Sequence, residues 1–370
     1  MKFRIRKDEF LKGLSRVQSI ADKRNTMPIL SNVLIESVEG GIAITATDLE
    51  IGLRGVYEAQ VDEPGGLTLS ARKLFEIVRE LPLEEVTVES SENNWATIKS
   101  GSAVFKFTGL SKDEFPTLPE MEGADFVPVD AALMSDLIKK TIFAAGDNDT
   151  RYVLNGIYMV LSPSDAGTTV QMVGTDGHRL AVLRKEIEGI KATGSAIIPK
   201  KSATELRKLL EEGQEGKLQM ALSKNHIVFK IDGIYMVTRL IEGNYPNYEQ
   251  VIPAANDKTV TVDKQALSSS LRRVSLLSRE RTNAVKFALS NDKTVLSSQN
   301  PEMGEAREDL PVEYRGDEIE VGFNAKYLLD ALSVMDTDAV QLLMKDSLSP
   351  CIISQTGAGD YRCVVMPMRV

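Results

Sequence analysis

Apolar residues recur along this chain with two periods. In some stretches they return every three to four residues, the spacing of one helix face. Phe10, Leu14 and Val17 form such a set, as do Leu74, Ile77, Val78 and Leu81. Ala203, Leu206 and Leu210 form another, and so do Leu267, Leu271 and Val274. Elsewhere apolar and polar residues alternate, which is the pattern of a strand with one buried face. Ile42-Ala43-Ile44-Thr45, Leu67-Thr68-Leu69, Val86-Thr87-Val88-Glu89, Ile227-Val228-Phe229-Lys230-Ile231 and Val340-Gln341-Leu342-Leu343-Met344 read this way. Helices and antiparallel strands therefore both belong to the expected fold.

The two periods occur in a fixed order, and the order repeats three times. Phe3-Arg4-Ile5 leads into Phe10-Leu11-Lys12-Gly13-Leu14. Val127-Pro128-Val129-Asp130 leads into Leu133-Met134-Ser135-Asp136-Leu137, and Val260-Thr261-Val262-Asp263 into Leu267-Ser268-Ser269-Ser270-Leu271. A second helix follows in each copy. It begins at Ser70-Ala71-Arg72-Lys73-Leu74 and runs to about Leu81, at Pro199-Lys200-Lys201-Ser202-Ala203 to about Glu212, and at Asn324-Ala325-Lys326-Tyr327-Leu328 to about Met335. Ser70 and Asn324 are good N-cap residue types, and Ser202 caps if its helix starts later. The repeat length is about 125 residues, the size of a domain. Two segments rich in Pro and Gly separate the copies, Phe115 to Gly123 and Gly243 to Pro253, and each carries an aromatic-Pro pair. The expectation is an α+β protein of three repeated domains, at 1–122, 123–250 and 251–370.

Composition narrows the class. The chain has 370 residues, 26% of them charged and 42% hydrophobic, enough for a proper core without disulfides. Its formal net charge is −9, from 44 Lys+Arg against 53 Asp+Glu, so it is not coated in basic surface. The two cysteines, Cys351 and Cys363, are too few for a secreted framework and read as small buried hydrophobes. No apolar leader follows the charged start, and no run approaches the roughly 18 apolar residues of a spanning helix. A soluble cytoplasmic protein is expected.

Catalytic signatures are missing. No phosphate-binding loop, dinucleotide fingerprint or nucleophile elbow occurs, and His178 and His226 lack cysteine companions for a metal site. No cofactor and no metal are expected. An enzyme using Asp176 and His178 as an acid/base pair is one rival reading, but it leaves the triplication unexplained. A direct DNA-binding regulator is the other, and it needs base-reading elements that the sequence does not display.

The cations have a pattern. Opposite the apolar stripes lie Lys12 and Arg16 on the first helix, with Lys23 if that helix extends, and Arg72 and Arg79 on the second. Lys201 and Lys208 have the same seven-residue spacing in the second copy, and Arg272 and Arg273 lie on the first helix of the third. Phosphates require only cations within reach. Basic helix faces on an acidic chain point to charge segregation, positive where a polyanion passes.

With these features in place, the sequence resembles the bacterial DNA sliding clamps, the β subunits of the replicative DNA polymerase III, over its whole length. The motifs carrying the resemblance are Met27-Pro28-Ile29-Leu30, Thr47-Asp48-Leu49-Glu50, Ser70-Ala71-Arg72-Lys73, Arg151-Tyr152-Val153-Leu154-Asn155-Gly156, Thr175-Asp176-Gly177-His178-Arg179-Leu180, Tyr245-Pro246-Asn247-Tyr248 and Val364 to Arg369. The resemblance implies a non-catalytic processivity factor. Two subunits join head to tail in a six-domain ring, with helices lining a channel for duplex DNA and antiparallel sheets outside. It implies DNA contacts at Arg24, Arg72, Arg79, Asn148, Arg151, Tyr152, Lys200, Lys201 and Arg281. Val153 stands where family members can carry a second aromatic, and the loop from Ser278 to Asn283 has no aromatic at its tip. An aromatic that could stack on single-stranded template is therefore lacking at those two points.

The resemblance also implies a hydrophobic groove for short peptides from the clamp loader and from replicative, translesion and repair polymerases. Its residues are Leu154, Thr175, Gly177, His178, Arg179, Leu180, Pro246, Val251, Asn324, Tyr327, Val364, Met366, Pro367 and Met368. The homodimer interface falls on Lys73, Phe105 and Phe107 of the first domain and on Leu276, Leu277, Glu302 and Glu305 of the third.

Overall fold

A computed structural model describes residues 1–21, 27–121, 123–212, 218–280, 282–357 and 359–369. The first repeat contains β1 (Lys2–Arg6), α1 (Lys7–Gln18), β2 (Asn32–Val38), β3 (Gly41–Thr47), β4 (Ile51–Glu58), β5 (Gln60–Glu63), β6 (Gly66–Ser70), α2 (Ala71–Glu80), β7 (Glu85–Ser90), β8 (Trp95–Ser100) and β9 (Ala103–Thr108). The second contains β10 (Val127–Val129), α3 (Ala131–Ile142), β11 (Gly156–Pro163), β12 (Gly167–Thr175), β13 (Arg179–Glu188), β14 (Gly194–Pro199), α4 (Lys200–Glu211), β15 (Leu218–Leu222), β16 (His226–Ile231) and β17 (Ile234–Arg239). The third contains β18 (Lys258–Asp263), α5 (Lys264–Val274), β19 (Ala284–Ser290), β20 (Lys293–Asn300), β21 (Gly304–Pro311), β22 (Ile319–Asn324), α6 (Ala325–Ser333), β23 (Ala339–Met344), β24 (Cys351–Gln355) and β25 (Tyr361–Val365). Apart from the extra strand β5, the order of elements is the same in all three.

The repeats do not each build their own sheet. The chain forms two compact units, Met1–Ala131 with Lys208–Leu240, and Ala132–Arg207 with Ile241–Val370, so the second repeat is divided between them. Unit 1 holds an eight-stranded sheet in the order β10-β15-β16-β17-β4-β3-β2-β6. Unit 2 holds one in the order β14-β11-β12-β13-β25-β24-β23-β18. Read from opposite ends, the two orders are equivalent strand for strand. At the join, the fourth strand of one repeat pairs with the last strand of the next. In unit 1 this is β4 with β17, Leu53 facing Met236. In unit 2 it is β13 with β25, Leu180 facing Val364. A five-stranded sheet, β5-β1-β7-β8-β9, completes unit 1, and a four-stranded sheet, β21-β20-β19-β22, completes unit 2.

The helices pack their apolar stripes on the sheets, as the periodicity requires. Phe10, Leu14, Val17, Leu74 and Val78 are buried in unit 1, and Leu267, Leu271, Val274 and Leu328 in unit 2. Asn324 caps α6 by accepting from the Lys326 amide at 2.9 Å, and Asp263 caps α5 by accepting from Ala266 at 2.7 Å. Ser70 precedes α2 but makes no side-chain cap. Ser202 is no cap either, because α4 already starts at Lys200 and Ser202 is buried within it.

One cation departs from its expected face. Arg16 is buried in unit 1: its guanidinium lies 6.0 Å from the Tyr57 ring centroid and donates to Glu212 at 2.7 Å. The helical wheel placed it opposite the core because a wheel around one helix takes no account of a second layer of packing. Lys23 lies outside the described residues. Cys351 and Cys363 are buried free thiols, both pushed up to about 12 by burial.

Candidate functional site

The expected groove residues converge in unit 2, at the join of β13 and β25. Alternation along β12, β13 and β25 puts Val173, Leu180, Val182 and Val364 on one face, where Ile352 of β24 completes an apolar cluster. The segment after β17 packs against it. Tyr245 stacks on Tyr158 with centroids 4.8 Å apart and planes 11° apart, and Tyr248 meets Tyr158 edge-on at 6.5 Å. The Tyr245 hydroxyl donates to the Val173 carbonyl at 3.4 Å, and burial raises its pKa well above the ordinary phenol value. The Gln171 amide donates to the Tyr248 hydroxyl, and Arg184 donates to Gln171 at 2.6 Å. Of these packing residues, the expected set included only Leu180 and Val364. The strand alternation was a usable signal for Val173 and Val182. Tyr158 carried none, since its partner lies 87 positions away by the numbering of Tyr245.

A tight turn flanks the cluster. The Thr175 hydroxyl donates to the Arg179 carbonyl at 2.6 Å and accepts from the Gly177 amide at 3.0 Å. The Asp176 carboxylate accepts from the amides of His178 at 2.9 Å and Arg179 at 3.0 Å, and from the Arg179 guanidinium at 3.0 Å. Gly177 has φ +83°, and a Cβ there would stand 2.8 Å from the Arg151 guanidinium. The His178 ring has no hydrogen-bond partner among the described residues. Asp176 thus serves as a turn brace, and no acid/base pair with the imidazole is formed.

Arg179 anchors the other expected residues. It donates to Asp330 at 2.5 Å, and its guanidinium carbon lies 4.4 Å from the Tyr327 ring centroid and 5.6 Å from that of Phe143. Asn324, capping α6, fixes the turn that presents Tyr327. The chain beyond β25 is tied down at both ends of the groove. The Met366 amide donates to the His178 carbonyl at 2.9 Å, and the Met368 amide to the Gly322 carbonyl at 2.8 Å. Met366, Pro367 and Met368 remain half-buried, Pro246 and Val251 are exposed, and Leu154 and Thr175 are buried. The result is an apolar floor of β-branched residues and leucine, with aromatic and methionine walls and few polar groups. Such a surface takes apolar peptide side chains and can repack around different ones.

The expected DNA contacts fall in both units. In unit 1, Arg72 and Arg79 are exposed on α2, each beside a carboxylate: Glu76 at 2.6 Å and Glu80 at 3.1 Å. In unit 2, Asn148, Arg151 and Tyr152 share one exposed loop, Asn148 with φ +55° and Tyr152 77% accessible. Arg151 grips Asp149 through two nitrogens, at 3.0 and 2.8 Å, which lowers the Asp149 carboxyl to about 2. Lys200 reaches back to Asp147 at 2.9 Å, and Lys201 is half-buried. Arg24 and Arg281 lie outside the described residues.

The expected interface residues sit on or near two sheet edges. In unit 1, β9 ends its sheet with Val104 and Phe105 exposed and Phe107 half-buried, while Lys73 pairs with Glu76 at 2.9 Å. In unit 2, β21 ends its sheet, Glu302 and Glu305 are exposed, and Leu276 beside them is 76% accessible with Leu277 half-buried.

Comparison with known proteins agrees with this architecture repeat by repeat. The chain matches the DNA polymerase III beta subunit N-terminal domain over residues 1–119, the central domain over 128–247 and the C-terminal domain over 249–369. It is 35% identical to the beta sliding clamp of Pseudomonas putida and 33% identical to that of Caulobacter vibrioides, covering 100% of both chains in each case. A crystal structure of the DNA polymerase III subunit beta from Pseudomonas aeruginosa superposes with a TM-score of 0.92 at 34% identity. The Bartonella birtlesii clamp bound to griselimycin superposes with a TM-score of 0.94 at 34% identity; both structures are covered completely, as is this chain. The fold and these matches define a DNA clamp, three repeats of one α+β domain. The chain belongs to the DNA polymerase III beta subunit family, and its function is that of a sliding clamp, a non-catalytic processivity factor in replication.

Proposed function

We propose that two copies close head to tail around duplex DNA, β9 of one against β21 of the other. The pairing rule inside the chain carries this reading. The fourth strand of the first repeat meets the last strand of the second, and the fourth strand of the second meets the last strand of the third. The two strands left unpaired by that rule are β21, a fourth strand, and β9, a last strand. One join between copies satisfies both edges, whose open amides and carbonyls would otherwise template wrong pairing. Val104 and Phe105 would meet the apolar Leu276 and Leu277, and Lys73 would meet Glu302 and Glu305. The domains are taken as 1–122, 123–250 and 251–370.

In this reading Arg72, Arg79, Asn148, Arg151, Tyr152, Lys200 and Lys201 line the DNA path with Arg24 and Arg281. They attract phosphates without reading bases, so the ring is centred and free to move. The groove at the β13–β25 join captures short peptides of the clamp loader and of replicative, translesion and repair polymerases. A tethered polymerase then rebinds its template at high effective concentration. Among the described residues no helix is long and apolar enough to cross a membrane, and the setting is the cytoplasm, with the replicating DNA.

The test is topological. The protein is loaded on nicked circular DNA with a clamp loader and ATP, isolated, and the circle is then cut. Release on linearisation is expected. Retention on the linear molecule would overturn encirclement in favour of a contact-bound DNA regulator.

A further inference from the structure

The equivalence of the two eight-stranded sheets makes the counterpart of the groove identifiable in unit 1. Thr47 and Thr175 hold the same turn, so Gly52 of β4 corresponds to Leu180 of β13 and Arg54 to Val182. The counterpart face is covered differently. A Cβ on Gly52 would lie 2.4 Å from a methyl of Leu118, which means that the linker after the first repeat drops its own leucine onto the glycine. Beside this plug a cavity of about 440 Å3 remains, lined by Arg54, Leu118, Glu120, Phe126, Lys230 and Tyr235 among others. That volume is within the range of a ligand site.

The chemistry of this cavity is inverted relative to the groove. Arg54 and Lys230 have no ion-pair partner among the described residues. The Lys230 ammonium lies 4.0 Å from the Phe126 ring centroid and 5.8 Å from that of Tyr235. The Tyr235 hydroxyl donates to the Pro119 carbonyl at 2.6 Å, which fixes the wall in place. Two unpaired cations on a preformed aromatic and aliphatic wall are complementary to carboxylates spaced along an extended chain.

We propose that this cavity is a second docking site on each chain, taking an acidic extended peptide whose carboxylates pair with Arg54 and Lys230 and whose apolar side chain rests on Leu118 and Phe126. The site is independent of ring closure, and its test uses the free full-length protein. The probe is a fluorescein-labelled pentapeptide of alternating glutamate and leucine, followed by anisotropy at low salt. Saturable binding is expected. It should weaken at least tenfold in the double variant Arg54→Met with Lys230→Met, whose fold is checked by circular dichroism. Binding should persist in Leu180→Ala, which alters the groove of unit 2. Absence of saturation, equal affinity in the double variant, or loss in Leu180→Ala would each overturn the proposal. Displacement of the probe by oligothymidylate at matched charge would replace it with a single-stranded nucleic acid site.

Discussion

The two eight-stranded sheets are built alike and finished differently. Their turns are nearly superimposable in hydrogen bonding. The Thr47 hydroxyl accepts from the Leu49 amide at 3.0 Å, as Thr175 does from Gly177, and Asp48 accepts from Glu50 and Ile51 as Asp176 does from His178 and Arg179. Beyond the turn the two diverge. Unit 2 has Leu180 in an apolar cluster against which Tyr245, Tyr248 and Ile252 of the following linker pack; unit 1 has Gly52, with Leu118 of its own linker upon it. The lesson is that one backbone plan can be finished as an aromatic-walled apolar face or with a cationic cavity beside it, according to whether the sheet or the linker supplies the leucine. A leucine rooted in the sheet is flanked by linker tyrosines, whereas a leucine rooted in the linker fills the notch over a sheet glycine.

The comparison can be broken most forcefully at Leu180. Truncation to Ala removes a buried side chain at the centre of the cluster and should lower unfolding free energy by about 3 kcal/mol, with loss of peptide capture. Urea denaturation and anisotropy with a groove peptide measure both; unchanged capture would separate the cluster from the groove. Next comes Gly52→Ala, which forces Leu118 aside at a cost of about 1–2 kcal/mol. Because Leu118 makes the closest contact, at 2.4 Å, most of the penalty should disappear in combination with Leu118→Ala, a non-additivity that a double-mutant cycle reads directly.

The turns give a smaller contrast. Gly177→Ala adds a Cβ at φ +83° against the Arg151 guanidinium and should cost about 1 kcal/mol. Leu49 occupies the corresponding left-handed conformation at φ +74° with its side chain exposed, so Leu49→Gly should raise stability by about 0.5 kcal/mol. Opposite signs at equivalent positions are the outcome to look for in paired thermal melts. The smallest effect concerns acid. Asp149, lowered to about 2 first of all by its hydrogen bonds from the Arg151 side chain, is ionised in the fold at a pH where the unfolded chain already takes up the proton. Its contribution is present above the ordinary carboxylate value near 4 and lost as pH falls through about 2. Asp149→Asn should therefore flatten the acid limb of stability between those values. An unaltered limb would mean that the Arg151 clamp is not formed in solution.

Much of this was legible in the sequence, for a physical reason. Helix and strand periods are local, so the repeated order of elements and the buried stripes of α1, α2 and α5 could be read directly. The family motifs, taken in order, located the turn at Thr175 and the closing segment at Val364 to Met368. What the pattern did not contain was who pairs with whom. Alternation says which face of β4 is buried but is silent on whether its neighbour belongs to the same repeat. Sharing of each large sheet between neighbouring repeats was therefore invisible, and so was the burial of Arg16 against Tyr57 and Glu212. The same blindness hid Gly52 and Leu118, whose contact spans 66 positions of the chain.

The shared sheets have a consequence for how such a ring can have arisen and how it opens. A single repeat, free in solution, would present one unmatched edge of each kind, and six such pieces would close by six equal seams. Fusing three into one polypeptide makes four of those seams permanent neighbours and leaves two to chance encounter. Selection can then soften the two without touching the four. A gate appears in an otherwise uniform circle, with no new element of structure required.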